Sequence, residues 1–249
     1  LADASAHIRD LDFDGVDHLP RSRLAELDDV NAAFNGTLGA LGAFARYVPR
    51  QLVKRLIDEG MTDARRIETR DMTIVFTDLA GFTSLASHLS AEETAAFLNR
   101  YFETVSDAIT EEGGTIDKYM GDGVMAFWGA PTEQQDHAAH AVASMKALSK
   151  RVSEEGDPNV RIRIGVHTGK VVVGNFGSES RMNYTVIGDA VNVAARLQEY
   201  GKTVDRDARV IILASGTTVG QLPEDLEVTS VGQITLRGRD EKTDVFRIA

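Results

Sequence analysis

The order of apolar periodicities after residue 70 is the feature that most restricts the fold of this chain. Strand-like runs alternate with helix-like ones, and they are Met72–Asp78 (strand), Ala91–Glu112 (helix), Thr115–Tyr119 and Val124–Trp128 (strands), Gln134–Glu154 (helix), Val160–His167, Lys170–Asn175 and Tyr184–Ile187 (strands), and Asp189–Tyr200 (helix). This order predicts an α+β domain, an α/β sandwich in which helices back a mainly antiparallel sheet.

Glycine-containing segments mark the expected turns. Gly121-Asp122-Gly123 predicts a hairpin between two short strands, and Thr168-Gly169 predicts a turn between two others. Further short strands are expected near Val210, Val228, Ile234 and Val245.

A heptad pattern precedes this domain. Its members recur in steps of three and four, and they are Leu24, Leu27, Asn31, Phe34, Leu38, Leu41, Ala45 and Val48. Such spacing is typical of a helix packed on its own domain or of a parallel two-chain coiled coil, in which Asn31 would fix the register. Ser22 is the expected N-cap. Three glycines within the helix weaken it, so we expect it to need a partner.

Prolines and a polar stretch divide the chain. Pro49 is expected to begin a second short helix that ends at Gly60, and residues 61–70 are polar. The expected divisions are a coiled-coil segment at 1–48, a linker helix at 49–70 and a globular domain at 71–249.

Composition excludes several functions. The chain has 27 Lys and Arg against 38 Asp and Glu, a net charge of −11, which argues against general nucleic-acid binding. It has no cysteine, so disulfides, thiolate catalysis and Cys-ligated zinc are excluded. No apolar run reaches the roughly 20 residues that span a bilayer. The chain begins at Leu1 without a signal-peptide pattern, and we expect it to be a fragment of a longer protein.

Two aspartates lie where strands are expected to end beside glycine. Asp78 ends the first strand, and Asp122 lies in the predicted hairpin turn. A sheet could bring these positions together, and two carboxylates that face one space suit Mg²⁺, which takes hard oxygen ligands and substrate phosphates. Each aspartate could instead serve only as a turn or cap residue.

Three further clusters have side chains or backbone groups suited to a phosphate ligand. Residues 80–84 open a helix whose backbone N–H groups could bind an anion. Asn192 and Arg196 are four residues apart and project from one face of a helix. Arg237 and Arg239 could reach a triphosphate. For these side chains, a solvated surface position remains an alternative.

Four segments, in this order, resemble the catalytic domain of class III nucleotidyl cyclases. They are FTDLAGFTSL, DKYMGDGVMAFWGAP, RIGVHTGKVVVGNFG and YTVIGDAVNVAARL. The resemblance runs from Met72 to the C-terminus and implies a ferredoxin-like sheet and a head-to-tail homodimer with active sites at its interface. Upstream, RYVPRQLVKRL resembles the entry segment of bacterial members, and SRLAELDDVNAAFN resembles the second helix of a HAMP signal-relay module. That likeness implies membrane segments ahead of Leu1 and a cytoplasmic location for this chain.

The resemblance also implies an adenylate cyclase, which converts ATP to 3′,5′-cyclic AMP and pyrophosphate with two divalent ions, Mg²⁺ or Mn²⁺. The positions that match family roles are Asp78, Asp122 and the Leu79 carbonyl for the metals, the backbone of Phe82 and Thr83 for the β- and γ-phosphates, Lys118 and Thr185 for the purine, Asn192 for the ribose, Arg196 for the transition state, and Arg237 or Arg239 for the triphosphate. In the homodimer, the purine, ribose and transition-state residues come from the other chain.

Hydrogen-bond chemistry favours adenine over guanine. Lys118 can donate to N1 and the Thr185 hydroxyl can accept from the N6 amino group, whereas guanine presents N1–H and O6. Many family members have Asp where this chain has Thr185, and Thr there is associated with bicarbonate sensitivity. Because a hydroxyl donates as well as accepts, a relaxed choice between ATP and GTP remains an alternative.

Two other functions are less compatible with the residues. A diguanylate cyclase would need a GGDEF- or GGEEF-type hairpin where this chain has YMGDGVM. A catalytically silent module for dimerisation and signalling would be favoured by loss of Asp78, Asp122 or Arg196, and all three are present.

Overall fold

The chain forms two compact units, residues 1–64 and 65–249. The computed structural model describes residues 18–45, 67–154, 160–178, 181–235 and 242–249. The first unit contains helix α1, Ala25–Ala45. The second contains, in chain order, β1 (Ile67–Leu79), α2 (Phe82–Ala86), α3 (Ala91–Glu111), β2 (Thr115–Met120), β3 (Gly123–Trp128), α4 (His137–Glu154), β4 (Ile162–Ser178), β5 (Arg181–Ile187), α5 (Asp189–Val204), β6 (Val210–Ser215), α6 (Gly216–Val219), β7 (Val228–Thr235) and β8 (Lys242–Ile248).

These strands form one mainly antiparallel sheet. Its order is β2-β3-β1-β4-β6-β8-β7, and β5 pairs with β4 outside this path. At the centre, β1 pairs antiparallel with β4 along its whole length, Ile67–Leu79 against Ile162–Gly174. Only β4 and β6 run parallel among the described pairs. The predicted α+β sandwich is confirmed.

Alternate residues of the central strands pack into different layers. Val75 and Trp128 join a core formed with α3 and α4. Their chain neighbours Ile74 and Phe127 join a second core with residues of β5 and α5. Because β3 is covered on both faces, all of its residues are buried and its sequence, GVMAFW, shows no polar alternation.

The expected turn at Thr168-Gly169 is wrong, because both residues lie inside the continuous strand β4. The Thr168 hydroxyl shares a buried hydrogen bond of 2.8 Å with the hydroxyl of Thr73, on the paired strand. A Cβ at Gly169 would lie 3.3 Å from Cβ of Ala190, so the glycine allows α5 to pack closely. Here the Thr-Gly pair serves packing within the sheet.

Some element boundaries also differ from expectation. Strand β1 begins at Ile67, so residues 67–70 of the predicted linker belong to the sheet. Val228 and Ile234 lie in one strand, β7. Helix α3 ends within one residue of its predicted end, and Ser90 and Glu93 form a capping box at its start.

Helix α1 exposes part of its heptad positions. Leu24, which immediately precedes the helix, and Leu27 within it are 61% and 51% exposed, while Leu38 is 5% exposed. The Asn31 amide donates to the Pro20 carbonyl at 2.8 Å, so it makes an intrachain bond. The helix begins three residues after Ser22, whose hydroxyl accepts from the Leu24 N–H at 3.2 Å.

A coiled coil therefore remains a prediction. Val48, the side chain of Ala45 and the expected helix at 49–60 lie outside the described residues. None of the helices described is long and apolar enough to cross a membrane.

The close approach of α5 to β4 depends on Gly165. A Cβ there would clash with the carbonyl oxygen of Ala194 and the backbone nitrogen of Gln198. We expect Gly165→Ala to lower the free energy of unfolding by about 1–3 kcal/mol, because backbone atoms of α5 must move. Urea denaturation measures this change.

The control is Gly36→Ala, within α1. A Cβ at Gly36 would meet no atom within 4 Å, so the change should be neutral or stabilising. An unchanged unfolding midpoint for Gly165→Ala would contradict the packing described above.

Candidate active site

The pairing of β1 with β3 brings Asp122 to the end of β1. Thr77 pairs with Val124, and Met120 pairs with Gly123 across the hairpin. A Cβ at Gly123 would lie 2.6 Å from the carbonyl oxygen of Thr77, so only glycine permits this approach. Asp122 in the turn and Asp78 near the end of β1 therefore lie at one corner of the sheet.

Burial and charge both act on Asp78. Burial raises the pKa of this carboxyl, and the negative charge of Asp122 raises it further. Lys202, Arg163 and the Gln198 side chain act in the opposite direction. A cation between the two carboxylates would relieve this repulsion.

Tyr101 is a neighbour of both carboxylates that sequence reasoning missed. Its ring is buried, and its hydroxyl lies 3.3 Å from the Thr77 hydroxyl. Burial raises the pKa of Tyr101, with smaller contributions from Asp78 and Asp122. The tyrosine is therefore neutral and contributes no charge to this corner. In the sequence, Tyr101 fits the apolar spacing of helix α3, and this spacing does not indicate a position beside the two carboxylates.

The donor set at this corner suits a hard divalent cation. Among the described residues no group of three His, Cys, Asp or Glu side chains comes together. A metal ion here would thus rely on Asp78, Asp122, a backbone carbonyl such as that of Leu79, and oxygens from substrate. The side chain of Gln198 is a further neighbour of Asp78, and its Nε2 atom is buried.

The segment after β1 turns sharply into α2. Gly81 precedes this five-residue helix with a φ of 80°, a left-handed conformation that glycine adopts without strain. Phe82 packs on Phe97 with ring centroids 6.3 Å apart, while Thr83 is exposed. The Phe82 contact anchors the turn immediately after Asp78.

Lys118 and Thr185 meet through a third residue, Asp117. The Thr185 hydroxyl donates a short hydrogen bond to Oδ2 of Asp117, and Lys118 Nζ lies 3.3 Å from Oδ1. They come together because β5 folds over the sheet face of β3, where Tyr184 packs on Phe127 at 6.2 Å. Asp117 is not among the site residues predicted from the sequence, where its only signal is an acid next to Lys118.

Asn192 and Arg196 lie on α5, with Asn192 exposed and Arg196 half-buried. The adjacent face of the helix packs through Val193 and Leu197. In the described part of the structure, no hydrogen bond or ion pair joins Asn192 or Arg196 to Asp78 or Asp122. Arg237 and Arg239 lie outside the described residues.

Comparison with known proteins identifies relatives of the whole sheet unit. Residues 65–248 match the family model described as "Adenylate and Guanylate cyclase catalytic domain". "Adenylate cyclase 1" of Rhizobium meliloti (strain 1021) is 34% identical over 255 residues, which cover 100% of this chain and 38% of that protein. The chain thus spans less than half the length of this relative.

Two solved structures are similar at comparable identity. The adenylyl cyclase CyaB from P. aeruginosa is 34% identical with a TM-score of 0.65, and the match covers 74% of this chain and 96% of that one. The guanylyl cyclase Cya2 is 35% identical with a TM-score of 0.62, covering 73% and 93%. Overall similarity therefore does not distinguish the two bases.

The raised pKa of Asp78 has a consequence for stability. A carboxyl whose folded pKa exceeds its ordinary value of 3.8 destabilises the folded state as the pH rises through that folded pKa. We expect Asp78→Asn to raise the thermal unfolding midpoint of metal-free protein at pH 7. The gain should shrink as the pH falls toward 4. Calorimetry at several pH values measures both effects.

Asp205→Asn provides a control of opposite sign. Backbone N–H groups of Asp207 and Ala208 hold the pKa of Asp205 below its ordinary value, and Arg247 adds to this. Its stabilisation is present at pH 7 and lost as the pH falls through the folded pKa, so Asp205→Asn should lower the midpoint at pH 7. If Asp78→Asn lowers the unfolding midpoint at pH 7, the buried Asp78 carboxylate does not destabilise the metal-free protein.

Proposed function

Because the chain belongs to the adenylate and guanylate cyclase catalytic-domain family, we propose that it converts ATP to 3′,5′-cyclic AMP and pyrophosphate. A relative named adenylate cyclase covers the whole chain at 34% identity. The observation that carries the choice of ATP is the convergence of Lys118 and Thr185 on one carboxylate. Lys118 would donate to adenine N1, and Thr185 would accept from N6.

The proposed reaction is an in-line displacement at the α-phosphorus. The ribose 3′-oxygen forms a bond to this phosphorus, its proton leaves to solvent, and the bond to the bridging oxygen of pyrophosphate breaks. When bound, two Mg²⁺ or Mn²⁺ ions supply charge neutralisation and acidify the hydroxyl. Asp78 and Asp122, with the Leu79 carbonyl, would hold them.

The remaining residues bind and orient the nucleotide. Asn192 would position the ribose, and Arg196 would stabilise the charge that grows on the α-phosphate. Backbone groups of Phe82 and Thr83 would contact the β- and γ-phosphates, and Arg237 would add charge at the triphosphate. Such positioning and charge stabilisation are the main requirements of phosphoryl transfer.

We infer a head-to-tail homodimer whose active sites take residues from both chains. Asn192 and Arg196 make no described contact with the carboxylates of their own chain. Exposed apolar residues also flank the base-recognition residues on β2 and β5; they are Tyr119, Met120, Met182 and Ile187. A second copy of the chain would cover this surface and supply the missing half of each site.

The N-terminal helix would join the same dimer. Leu24, Leu27 and Leu41 are 61%, 51% and 43% exposed along one heptad seam. Parallel pairing of two such helices would bury these leucines and connect the catalytic pair to an upstream signalling module. A HAMP-like relay and membrane anchoring of a longer protein belong to this proposal.

A second candidate is a cyclase with a relaxed choice of base. The guanylyl cyclase Cya2 is as similar to this chain as the adenylyl cyclase CyaB. Thr185 would support this candidate only if its hydroxyl proton, which is donated to Asp117 in the structure, were donated to guanine O6 instead.

The direct test is product analysis. The protein is incubated with ATP or GTP and Mn²⁺ or Mg²⁺, and nucleotides are separated by chromatography. We expect cyclic AMP and pyrophosphate in equal amounts, with no product in EDTA or from the Asp78→Asn/Asp122→Asn variant. Comparable cyclic GMP would support the relaxed cyclase instead. No cyclic nucleotide from a protein shown to be dimeric would support the silent signalling module.

Shared sites predict complementation between inactive variants. Asp78→Ala and Asn192→Ala should each lose activity, because each damages both sites of its homodimer. After subunit exchange of an equal mixture, half the dimers are mixed and each has one intact site, so about a quarter of wild-type activity should return. Mixing Asp78→Ala with Asp122→Ala is the control, since every site remains damaged. If exchange is confirmed and activity stays absent, each site is built within one chain.

A further inference from the structure

A β-bulge places Asp117 beneath the two residues proposed to recognise the base. Ile116 pairs with Ala126 and Lys118 pairs with Met125, so Asp117 is an extra residue in β2. A bulge redirects the side chain of the inserted residue. Although β2 is an edge strand, the Asp117 side chain is only 2% exposed, whereas that of Lys118 is 46% exposed.

The buried carboxylate makes one contact with each base-recognition residue. Its Oδ2 accepts the hydroxyl proton of Thr185, and its Oδ1 lies 3.3 Å from Lys118 Nζ. Burial raises the pKa of Asp117, and the bonds to Thr185 and Lys118 oppose this increase. The carboxylate thus depends on these two donors, which arrive from different strands.

The direction of the Thr185 bond decides what that hydroxyl offers to a base. A threonine hydroxyl has one proton and two lone pairs. With its proton donated to a carboxylate, which is acceptor-only when ionised, the oxygen presents only lone pairs. It then accepts from the N6 amino group of adenine and has nothing to donate to O6 of guanine or hypoxanthine.

We propose that Asp117 is a specificity-determining positioning residue, which makes this cyclase select a 6-aminopurine by fixing Thr185 as a hydrogen-bond acceptor. It acts through Thr185 and does not itself touch the base. The inference depends on the proposed function, and it removes the ambiguity of a hydroxyl that is free to donate or accept. A site whose polar groups are committed in this way rejects a mismatched base.

The first test compares ATP with inosine triphosphate, which has O6 and N1–H but no 2-amino group. The main variant is Asp117→Asn. Lys118 should draw the amide oxygen toward itself, so the amide Nδ2–H faces Thr185 and donates to it. Thr185 then has a proton to offer O6. We expect the ratio of kcat/KM for ATP over that for inosine triphosphate to fall at least roughly tenfold, the change that one such hydrogen bond supports.

Asp117→Ala supplies a second variant, since it also frees the hydroxyl proton. Its ratio should fall in the same direction. A merely structural role for Asp117 would lower kcat/KM for both nucleotides equally, and an unchanged ratio in both variants would overturn the inference.

A double-mutant cycle tests whether Asp117 acts through Thr185. Thr185→Val should lower kcat/KM for ATP more than for inosine triphosphate, because it removes the acceptor for N6. In that background Asp117→Asn should leave the ratio unchanged. Thr185→Ser retains the hydroxyl and should retain the wild-type ratio. A lower ratio in Thr185→Ser, or a further fall of the ratio when Asp117→Asn is added to Thr185→Val, would contradict the inference that Asp117 acts through Thr185.

Failure of the proposed function is distinguishable from failure of this inference. If the wild type forms cyclic AMP and the ratios do not move, only the inference fails. If it forms no cyclic nucleotide, the proposed activity fails, and the same variants are compared by calorimetric binding of the α,β-methylene analogues of the two nucleotides. The binding ratio is then expected to fall in Asp117→Asn, and an unchanged ratio overturns the inference.

Discussion

The antiparallel ladder between β1 and β4 determines where the candidate site residues lie. Thirteen residues of β1 pair without interruption, so the register has many buried contacts that oppose a shift. A slip of one residue would exchange the two faces of β1 and place Val75 and Ile74 in the wrong cores. The same register sets Asp78 opposite Arg163, at the end of the strand. The last part of β4, from Val172 to Ser178, pairs with β5 and sets Thr185 opposite Gly174.

In this arrangement, burying the carboxylates of Asp78 and Asp117 costs free energy of folding. Burial raises the pKa of both Asp78 and Asp117, which means that the folded protein holds these charges less easily than water does. Stability alone would favour neutral side chains at both positions. Perturbed carboxyls of this kind concentrate at functional sites, where the charge is needed for a ligand or a neighbour. At Asp78 the proposed cations would supply the compensation, and at Asp117 two donors of the chain already do.

The sequence predicts helices, strands and turns well where a local pattern of apolar or turn-forming residues is enough to specify them. Helix α3, predicted over Ala91–Glu112, and the Gly121-Asp122 hairpin follow from local sequence signals. The Thr168-Gly169 turn was wrong, because the glycine serves helix packing across the sheet and not a change of direction. Local propensity cannot detect a contact with a helix that follows some twenty residues later in the chain.

Asp117 was missed for a related reason. A bulge is a property of two paired strands, and the β2 sequence alone does not show which residue is the extra one. Strand β5, which pairs with β4, meets Asp117 through Thr185, at the place where Tyr184 of β5 packs on Phe127 of β3. Lys118 and Thr185 were identified through family resemblance, whereas the contact that joins them depends on this tertiary arrangement.

In the proposed site, base choice depends on two contacts, and the second of them depends on the position of one proton. Lys118 is a donor in every state, so it sets the preference at N1 alone. Thr185 can serve either base, and the neighbour that takes its proton decides which. That neighbour lies in a bulge behind the base-contacting surface. The effect of Asp117 on the proposed base choice therefore depends on one local contact and not on overall sequence identity, which is comparable for an adenylyl and a guanylyl cyclase.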